Sequence, residues 1–305
     1  MTAITPPYRG RFAPTPSGPL HRGSLLTALA SWLAARQSGG EWWLRIDDLD
    51  RPRCVQGAEA TIQRQLEAHG LHWDGTPVRQ TDHEAEYLAA LHRLEQEGLL
   101  YPCACTRAVL TVAARSGPDG PIYPGTCRTR PPAAQLAVNA LRLKVPDGTV
   151  RWDDGVQGAI SRCFPSDAGD FVVRRADGQV GYHLACVLDE RRMGITEVVR
   201  GADLLGSTLQ QLALMQALQL SPPRYAHLPV LLGAEGRKLS KQNGAAALQT
   251  DPASVHQQLA QGLQQLGLPV PVELHGAPSA TLLEWAIPYW NPRLLHGLTT
   301  LPALP

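Results

Sequence analysis

The residues best suited to phosphate chemistry lie near the start of this chain. Residues 11–24 read Arg-Phe-Ala-Pro-Thr-Pro-Ser-Gly-Pro-Leu-His-Arg-Gly-Ser, between a candidate strand and a candidate helix. The N-terminus of a helix offers free backbone N–H groups and a positive dipole end, which suit a polyphosphate. Gly18 and Gly23 allow close approach of the backbone, and His21 can donate a hydrogen bond to phosphate. A single histidine at a helix start is more often a cap or a surface residue, so the block alone leaves both interpretations open.

Two lysines much later in the chain form a second candidate for phosphate chemistry. Lys238 and Lys241 lie in the sequence Lys-Leu-Ser-Lys-Gln, with glycines on either side. A mobile lysine loop can stabilise the negative charge that grows on a departing pyrophosphate. Two lysines in a loop are usually solvated surface charge. Their occurrence together with the His21 segment favours the catalytic interpretation.

A cluster of thiols in the middle of the chain is a candidate metal site. Cys103 and Cys105 form Cys-Ala-Cys, and Tyr123 and Cys127 follow in Tyr-Pro-Gly-Thr-Cys. In a reducing compartment such a cluster indicates zinc more than a disulfide. The spacing is looser than that of a paired Cys-x-x-Cys site, so the residues alone leave zinc binding open.

Alternating strand and helix patterns position these residues. The helix after the His21 segment has apolar residues at helical spacing on one face and ends at two glycines. Such alternation predicts a parallel α/β sheet. The predicted elements of this first part are a strand at 8–14, a helix at 24–37, a strand at 42–46, and helices at 58–69 and 84–96.

The alternation breaks near residue 101. Residues 101–165 are rich in Pro, Gly, Arg and Cys, with a strand-like piece at 140–145, and we interpret them as an insertion. The α/β pattern then resumes, and a helix begins at Asp251-Pro252. We therefore expect a catalytic domain over residues 1–250, interrupted by the insertion, and a short helical region over 251–305. The elements after the insertion are expected at 172–174, 182–188 and 196–199, with a helix at 207–218 and a strand at 228–232.

Composition limits the function classes without selecting one. Hydrophobic residues make up 44% and charged residues 18% of the 305 positions, which is typical of a globular protein. The formal net charge is +1, so any RNA contact must use local positive charge. No apolar run is long enough to cross a bilayer and no signal peptide is evident. We expect a cytoplasmic monomer with no membrane partner and with its six cysteines reduced.

The segment at residues 11–24 resembles the signature of class I aminoacyl-tRNA synthetases specific for glutamate and glutamine. His21-Arg22-Gly23-Ser24 stands where that class has its His-Ile-Gly-His motif, and residues 238–242 resemble its Lys-Met-Ser-Lys-Ser loop. Arg22 replaces an apolar residue of the family pattern and Ser24 replaces its final histidine. The resemblance implies a Rossmann-type domain that uses ATP and Mg²⁺ to activate L-glutamate as glutamyl-adenylate. It implies catalytic roles for His21, Lys238 and Lys241, and ATP contacts from Pro14, Gly18, His21, Gly23, Ser24 and Lys241.

Three further blocks resemble the glutamate pocket of the same family, at residues 45–50, 182–189 and 195–203. The resemblance implies that Arg11 and Arg200 bind a substrate carboxylate, that Tyr182 closes the pocket, and that Asp47 receives the ammonium group. Asp47 is one methylene shorter than the family's glutamate, so that contact could pass through water. An interdomain ion pair is the alternative role for Arg200. The glutamate-binding residues implied in this way are Arg11, Ala13, Thr15, Asp47, Tyr182 and Arg200.

The insertion also resembles a family module. Bacterial members carry a Cys-x-Cys…Tyr-x-x-x-Cys zinc site there, in the part that contacts the acceptor end of tRNA. The resemblance therefore implies Zn²⁺ bound by Cys103, Cys105, Tyr123 and Cys127.

The length of the C-terminal region points to one subfamily. Only 63 residues follow Gln242, fewer than the helical anticodon-binding domains of a full glutamyl-tRNA synthetase need. In this respect the chain is similar to the truncated paralogues that transfer glutamate to queuosine at the wobble position of tRNA(Asp). The alternatives are an ordinary glutamyl-tRNA synthetase charging a tRNA 3′ end, a non-catalytic RNA- or zinc-binding paralogue, and a nucleotidyltransferase that makes a free metabolite.

Overall fold

The strands of the protein were defined in a computed structural model that describes residues 6–129, 139–233, 235–239 and 245–304. They are β1 (Arg9–Phe12), β2 (Glu41–Ile46), β3 (Val78–Arg79), β4 (Leu100–Cys103), β5 (Arg115–Gly117), β6 (Gly120–Ile122), β7 (Ala140–Leu143), β8 (Gly148–Asp154), β9 (Gly158–Phe164), β10 (Phe171–Arg174), β11 (Glu197–Gly201), β12 (Arg224–Leu228), β13 (Val230–Leu232) and β14 (Thr300–Pro302).

The helices alternate with the strands of the central sheet. They are α1 (Arg22–Gln37), α2 (Ala58–Ala68), α3 (Glu84–Gln96), α4 (Arg107–Ala113), α5 (Thr126–Thr129), α6 (Tyr182–Arg192), α7 (Leu205–Ala217), α8 (Pro252–Gln265) and α9 (Ser279–Ala286). No helix in this described part is both long and apolar enough to span a bilayer.

The central sheet consists of two parallel halves that meet beside β1. In one half β1 pairs with β2 and β2 with β3; in the other, β11 pairs with β12. The Thr196 backbone N–H, just before β11, donates to the Arg9 carbonyl at 2.9 Å, which joins the halves. The connection from β1 leads to β2 on one side of the sheet, whereas the connection from β11 leads to β12 on the other side. The carboxyl ends of strands at such a switch point form a crevice in doubly wound folds. The predicted parallel α/β class is confirmed.

Smaller antiparallel units lie between β3 and α6. Strand β7 pairs with both β4 and β10, and β5 and β6 form a hairpin. Strands β8 and β9 form a longer hairpin, and Asp154 at the end of β8 pairs with Tyr225 of β12. The hairpin is thereby attached to the central sheet beside β12, in the strand order β11-β12-β8-β9.

Helix α1 is the centre of the largest apolar cluster. Ten of its 16 residues are buried, because β1 and β2 pack on one side and α8 on the other. Leu29 of α1 lies in the same cluster as Leu259 of α8 and Trp290 beyond α9. Residues after 251 thus contribute to the core beneath the sheet, and β14 pairs in parallel with β13.

Several predicted boundaries differ from the structure by a few residues, and two of the differences have a clear physical cause. Helix α1 begins at Arg22, two residues before the predicted start, because the side chain of His21 caps it. The strand predicted at 228–232 is wrong as a single element: β12 starts at Arg224, and Pro229 separates it from β13. Proline has no N–H to donate to a ladder, so the strand is interrupted there.

Candidate active site

A cleft of about 860 Å³ opens at the carboxyl ends of β1, β2 and β11. It collects most of the residues that the sequence nominated, although they come from five separate parts of the chain. Gly18 is outside its lining and holds a φ of 128° in the loop before α1. Lys241 lies outside the described residues. The nominated residues that line the cleft are Arg11, Ala13, Pro14, Thr15, His21, Gly23, Ser24, Asp47, Tyr182, Arg200 and Lys238.

The start of α1 forms one wall of this cleft. His21 is the capping residue, and the Ser24 backbone N–H donates to its Nδ1 at 3.3 Å. A Cβ at Gly23 would lie 3.0 Å from His21 Cε1 and 3.2 Å from its Nδ1. The imidazole therefore keeps its place because Gly23 has no side chain. The first turn of α1 presents the helix dipole and backbone N–H groups to the cleft, as a phosphate site requires.

The lysine segment is anchored on both sides of the part that the structure leaves undescribed. On the near side the Leu239 N–H donates to the Leu231 carbonyl at 2.7 Å. On the far side the Leu248 N–H donates to the Leu20 carbonyl at 2.9 Å, next to His21. Lys238 forms an ion pair with Asp203, with its Nζ 2.5 Å from Oδ2. The chain is thus anchored at Leu239 and at Leu248, on either side of the undescribed residues.

Arg200 is 3% exposed and reaches the cleft from the end of β11. Its Nε donates to His227 Nε2 at 3.1 Å, and its Nη2 donates to Thr208 Oγ1 at 2.8 Å. Within the described residues, Nη1 is buried and has no hydrogen-bond partner. An arginine held in this way leaves one nitrogen for a carboxylate of a ligand. The interdomain ion pair, the alternative for Arg200, is not among its described contacts.

Arg11 on β1 is committed to a buried carboxylate that sequence reasoning missed. Its Nη2 lies 3.1 Å and its Nε 3.3 Å from Glu190 Oε1, and its Nη1 donates to the Val199 carbonyl at 3.3 Å. Both side chains of the pair are at most 5% exposed. Glu190 follows directly on the block at 182–189, on the same helix, but nothing local in the sequence pairs it with β1.

Asp47 lies at the end of β2 and is paired with Arg45, the second missed residue. Arg45 Nε lies 2.7 Å from Asp47 Oδ1, and Arg45 Nη2 lies 3.3 Å from Oδ2. Burial raises the pKa of Asp47 above its ordinary value, although Arg45 opposes that shift. The sequence could have indicated this pair, because Arg45 and Asp47 are two positions apart and residues two apart on a strand lie on the same face. Tyr182, at the start of α6, is 43% exposed at the rim of the cleft.

The thiols of Cys103, Cys105 and Cys127 lie within 4.8 Å of one another. The Sγ atoms of Cys105 and Cys127 are 3.6 Å apart, close to the roughly 3.8 Å expected for two sulfurs on one tetrahedral zinc. The Tyr123 hydroxyl oxygen lies 3.5 Å from Cys103 Sγ and 3.8 Å from Cys105 Sγ. The three sulfurs therefore fit one zinc ion, and the Tyr123 hydroxyl lies beside them, where it accepts from the Cys127 backbone N–H at 2.8 Å.

Arg142 supports this cluster from β7. Its Nε donates to Cys103 Sγ at 3.2 Å, and its guanidinium lies 3.7 Å from the centre of the Tyr123 ring. Burial opposes ionisation of Cys103, but the hydrogen bonds from Tyr123 and Arg142 outweigh it and lower the pKa of that thiol to about 7. Burial raises the pKa of Cys105 to about 11. One of the thiols is thus prepared as a thiolate, the form that binds metal.

Comparisons with known proteins agree with this geometry. The family model "tRNA synthetases class I (E and Q), catalytic domain" matches residues 8–270. The protein of Thiobacillus denitrificans named glutamyl-Q tRNA(Asp) synthetase is 49% identical over 282 residues, which are 92% of this chain and 93% of that protein.

Two solved structures are similar as well. A glutamate tRNA ligase from Elizabethkingia meningosepticum, in complex with its amino acid, matches with a TM-score of 0.66 and 29% identity over 78% of this chain. This chain spans only about half of that ligase, 53% of its length. Glutamate-tRNA synthetase from Elizabethkingia anophelis has the same fold, with a TM-score of 0.80 at 24% identity over 97% of this chain and 68% of that one.

Proposed function

Because this chain belongs to the family of class I tRNA synthetases for glutamate and glutamine, we propose that it activates L-glutamate with ATP and transfers it to queuosine in tRNA(Asp). The observation that carries the proposal is the cleft in which the start of α1 meets Arg200 and Asp47. The acceptor is inferred from the relative named for glutamyl-Q tRNA(Asp), which this chain matches over nearly its whole length.

The first step forms glutamyl-adenylate. The α-carboxylate of glutamate attacks the α-phosphorus of ATP, the bond from that phosphorus to the bridging oxygen breaks, and pyrophosphate leaves. The start of α1, with His21, Gly23 and Ser24, would bind the phosphates through N–H groups and the ring of the cap. Lys238 and Lys241 would stabilise the charge on the departing pyrophosphate. Mg²⁺ would be held mainly by the phosphates and neutralise their charge.

Glutamate recognition requires groups for two carboxylates and one ammonium. Arg200 offers Nη1 to a carboxylate, and a charge-assisted bond of this kind is stronger than a neutral one. Asp47 would receive the ammonium group. Burial disfavours the ionised form of Asp47, and the positive charge of the bound ammonium group would favour it. Arg11 keeps its contact with Glu190 and would bind a substrate carboxylate through its remaining N–H groups. Tyr182 would close the pocket from the rim.

The second step transfers glutamate to RNA. A hydroxyl of the cyclopentene-diol of queuosine attacks the carbonyl carbon of the adenylate, its proton is lost, and AMP leaves as the ester forms. Single-stranded loops splay their bases, so an anticodon loop can present a modified base to such a cleft.

Zinc would have a structural role in the insertion. Cys103, Cys105, Tyr123 and Cys127 would hold it, and the ion would cross-link β4 to α5 and the turn before it. We propose a catalytic domain over residues 1–250, an insertion within it at 101–165, and a C-terminal region over residues 251–305. We also propose that the protein is a monomer and that it acts in the cytoplasm, where tRNA is charged.

An acceptor assay tests the proposed function. Radiolabelled glutamate is supplied with ATP and with tRNA(Asp) that contains or lacks queuosine, before and after removal of the tRNA 3′ end. We expect transfer only to the queuosine-containing tRNA, and we expect the label to survive loss of the 3′ end. Charging of tRNA(Glu) at its 3′ end would support an ordinary glutamyl-tRNA synthetase, the second candidate that the similar solved ligase favours.

A further inference from the structure

A buried carboxylate and a buried imidazole stand behind Arg200. His227, on β12, is fully buried, and its Nδ1 lies 2.5 Å from Oδ2 of Asp154, at the end of β8. On the other side of the ring, Nε2 lies 3.1 Å from Arg200 Nε and 3.0 Å from Thr208 Oγ1. These residues form a continuous hydrogen-bonded row from the β8–β9 hairpin to the wall of the cleft.

The direction of each hydrogen bond in this row is fixed by the groups at its ends. Arg200 Nε can only donate, so His227 Nε2 must accept and carries no proton. His227 Nδ1 then carries the proton and donates to Asp154. Asp154 is itself held, because its Oδ1 accepts from the backbone N–H groups of Val156, Gln157 and His227 at 2.9–3.0 Å.

The charges agree with this arrangement. Burial disfavours a charged Asp154, but the hydrogen bonds from His227 and from the backbone outweigh it and lower its pKa below the ordinary value. Burial, together with the neighbouring Arg200, lowers the pKa of His227. An ionised Asp154 beside a neutral His227 is the state that presents a lone pair to Arg200.

We propose that Asp154 and His227 are positioning residues that orient Arg200 for the carboxylate of glutamate. The row holds Nε and leaves the unpartnered Nη1 as the nitrogen that meets the ligand. Asp154 belongs to the hairpin between β7 and β10, so a residue far from the cleft in sequence sets the geometry of the amino-acid site. This inference rests on the proposed glutamate specificity.

Asp154→Asn tests the row with almost no change in volume. The amide can keep the oxygen that accepts the three backbone N–H groups, but it places an NH₂ against His227 Nδ1. The imidazole proton must then move to Nε2, where it opposes the N–H of Arg200. We expect the KM and Kd for glutamate to rise about 10-fold to 100-fold, the effect of misplacing a binding group by up to about 1 Å. The KM for ATP should stay within about twofold, because the row does not touch the start of α1.

A pair of histidine variants separates positioning from stability. In His227→Gln the side-chain amide reaches the position of Nε2 and can still accept from Arg200 Nε. In His227→Asn the shorter amide reaches only the position of Nδ1 and cannot. We expect Gln to retain most of the glutamate affinity and Asn to lose it, at similar melting temperatures. His69→Gln is the matched control, because His69 is also fully buried, but its Nδ1 lies 2.6 Å from the Gln65 carbonyl oxygen and the ring has no hydrogen bond to Arg200 among the described contacts. Equal glutamate affinity in the two His227 variants would overturn the proposal, and it would do so even if Asp154→Asn fails to fold.

Nitrogen NMR of the imidazole gives a readout that does not depend on substrate. We expect a proton on Nδ1 of His227 in the unaltered protein and on Nε2 in Asp154→Asn. A proton on Nε2 in the unaltered protein would refute the row as described. If that spectrum is as expected but pyrophosphate exchange does not depend on glutamate, the proposed function fails while the orientation of Arg200 stands.

Discussion

Gly23→Ala separates the stability of α1 from its function. Gly23 is the second residue of the helix, and its φ is not in the left-handed region. Alanine has the higher helix propensity, by up to about 1 kcal/mol. The new Cβ would, however, stand 3.0 Å from His21 Cε1, whereas carbon atoms normally approach to about 3.5–4.0 Å. The imidazole must therefore move by roughly 0.5–1 Å.

The substitution therefore has a small net effect on folding and a large effect on activity. The His21 cap on Ser24 is weakened, which costs about 1 kcal/mol and offsets the gain in propensity. We therefore expect an unfolding free energy within about 1 kcal/mol of the original. Displacement of a catalytic side chain by up to 1 Å lowers rates by about 10-fold to 100-fold.

Glutamate-dependent ATP–pyrophosphate exchange measures the activity, and urea unfolding measures the stability. Gly262→Ala on α8 is the control, because its new Cβ would lie 3.2 Å from Leu29 Cδ2, in the core and away from the cleft. It should leave the exchange rate unchanged. If Gly23→Ala keeps a normal exchange rate, then the position of His21 does not matter for catalysis and the argument from this contact is wrong.

Two further predictions concern the metal cluster and the amino-acid pocket. Cys105→Ala should lower the zinc content from about one ion per chain and reduce transfer to RNA about tenfold or more, while pyrophosphate exchange changes little; metal analysis that finds no zinc in the unaltered protein would contradict the assignment. The KM for glutamate should rise as the pH falls through the raised pKa of Asp47, because the protonated carboxyl no longer attracts an ammonium group. That rise should begin at a higher pH than an ordinary aspartate would give, and Asp47→Asn should abolish it; an unchanged pH profile in this variant would exclude Asp47 as the cause.

The parts of the fold that follow from local pattern could be predicted from the sequence. Helix α1 and strand β2 have clear periodicity and clear stop signals, and their predicted limits are within two residues of the observed ones. The strand near Pro229 was misjudged because β12 owes its first residues to pairing with β11, which no local pattern reports.

The candidate site shows the same division between local and distant information. The motif around His21 marks a helix start, and the structure has one there. Glu190 was missed because its partner, Arg11, lies 179 positions away. Nothing in the sequence near Glu190 indicates that its carboxylate pairs with a buried arginine on β1. His227 was missed for a similar reason, since Asp154 lies 73 positions before it.

The contact between Arg22 and the last described residues has a consequence for handling this protein. Arg22, which stands where the family pattern has an apolar residue, donates from Nη1 to the Leu304 carbonyl. Strand β14, just before Leu304, pairs with β13 beside the lysine segment. Clipping by a protease after β14 would remove this contact and disturb the first turn of α1. Protein that is clipped after β14 should therefore bind nucleotide less tightly than intact protein.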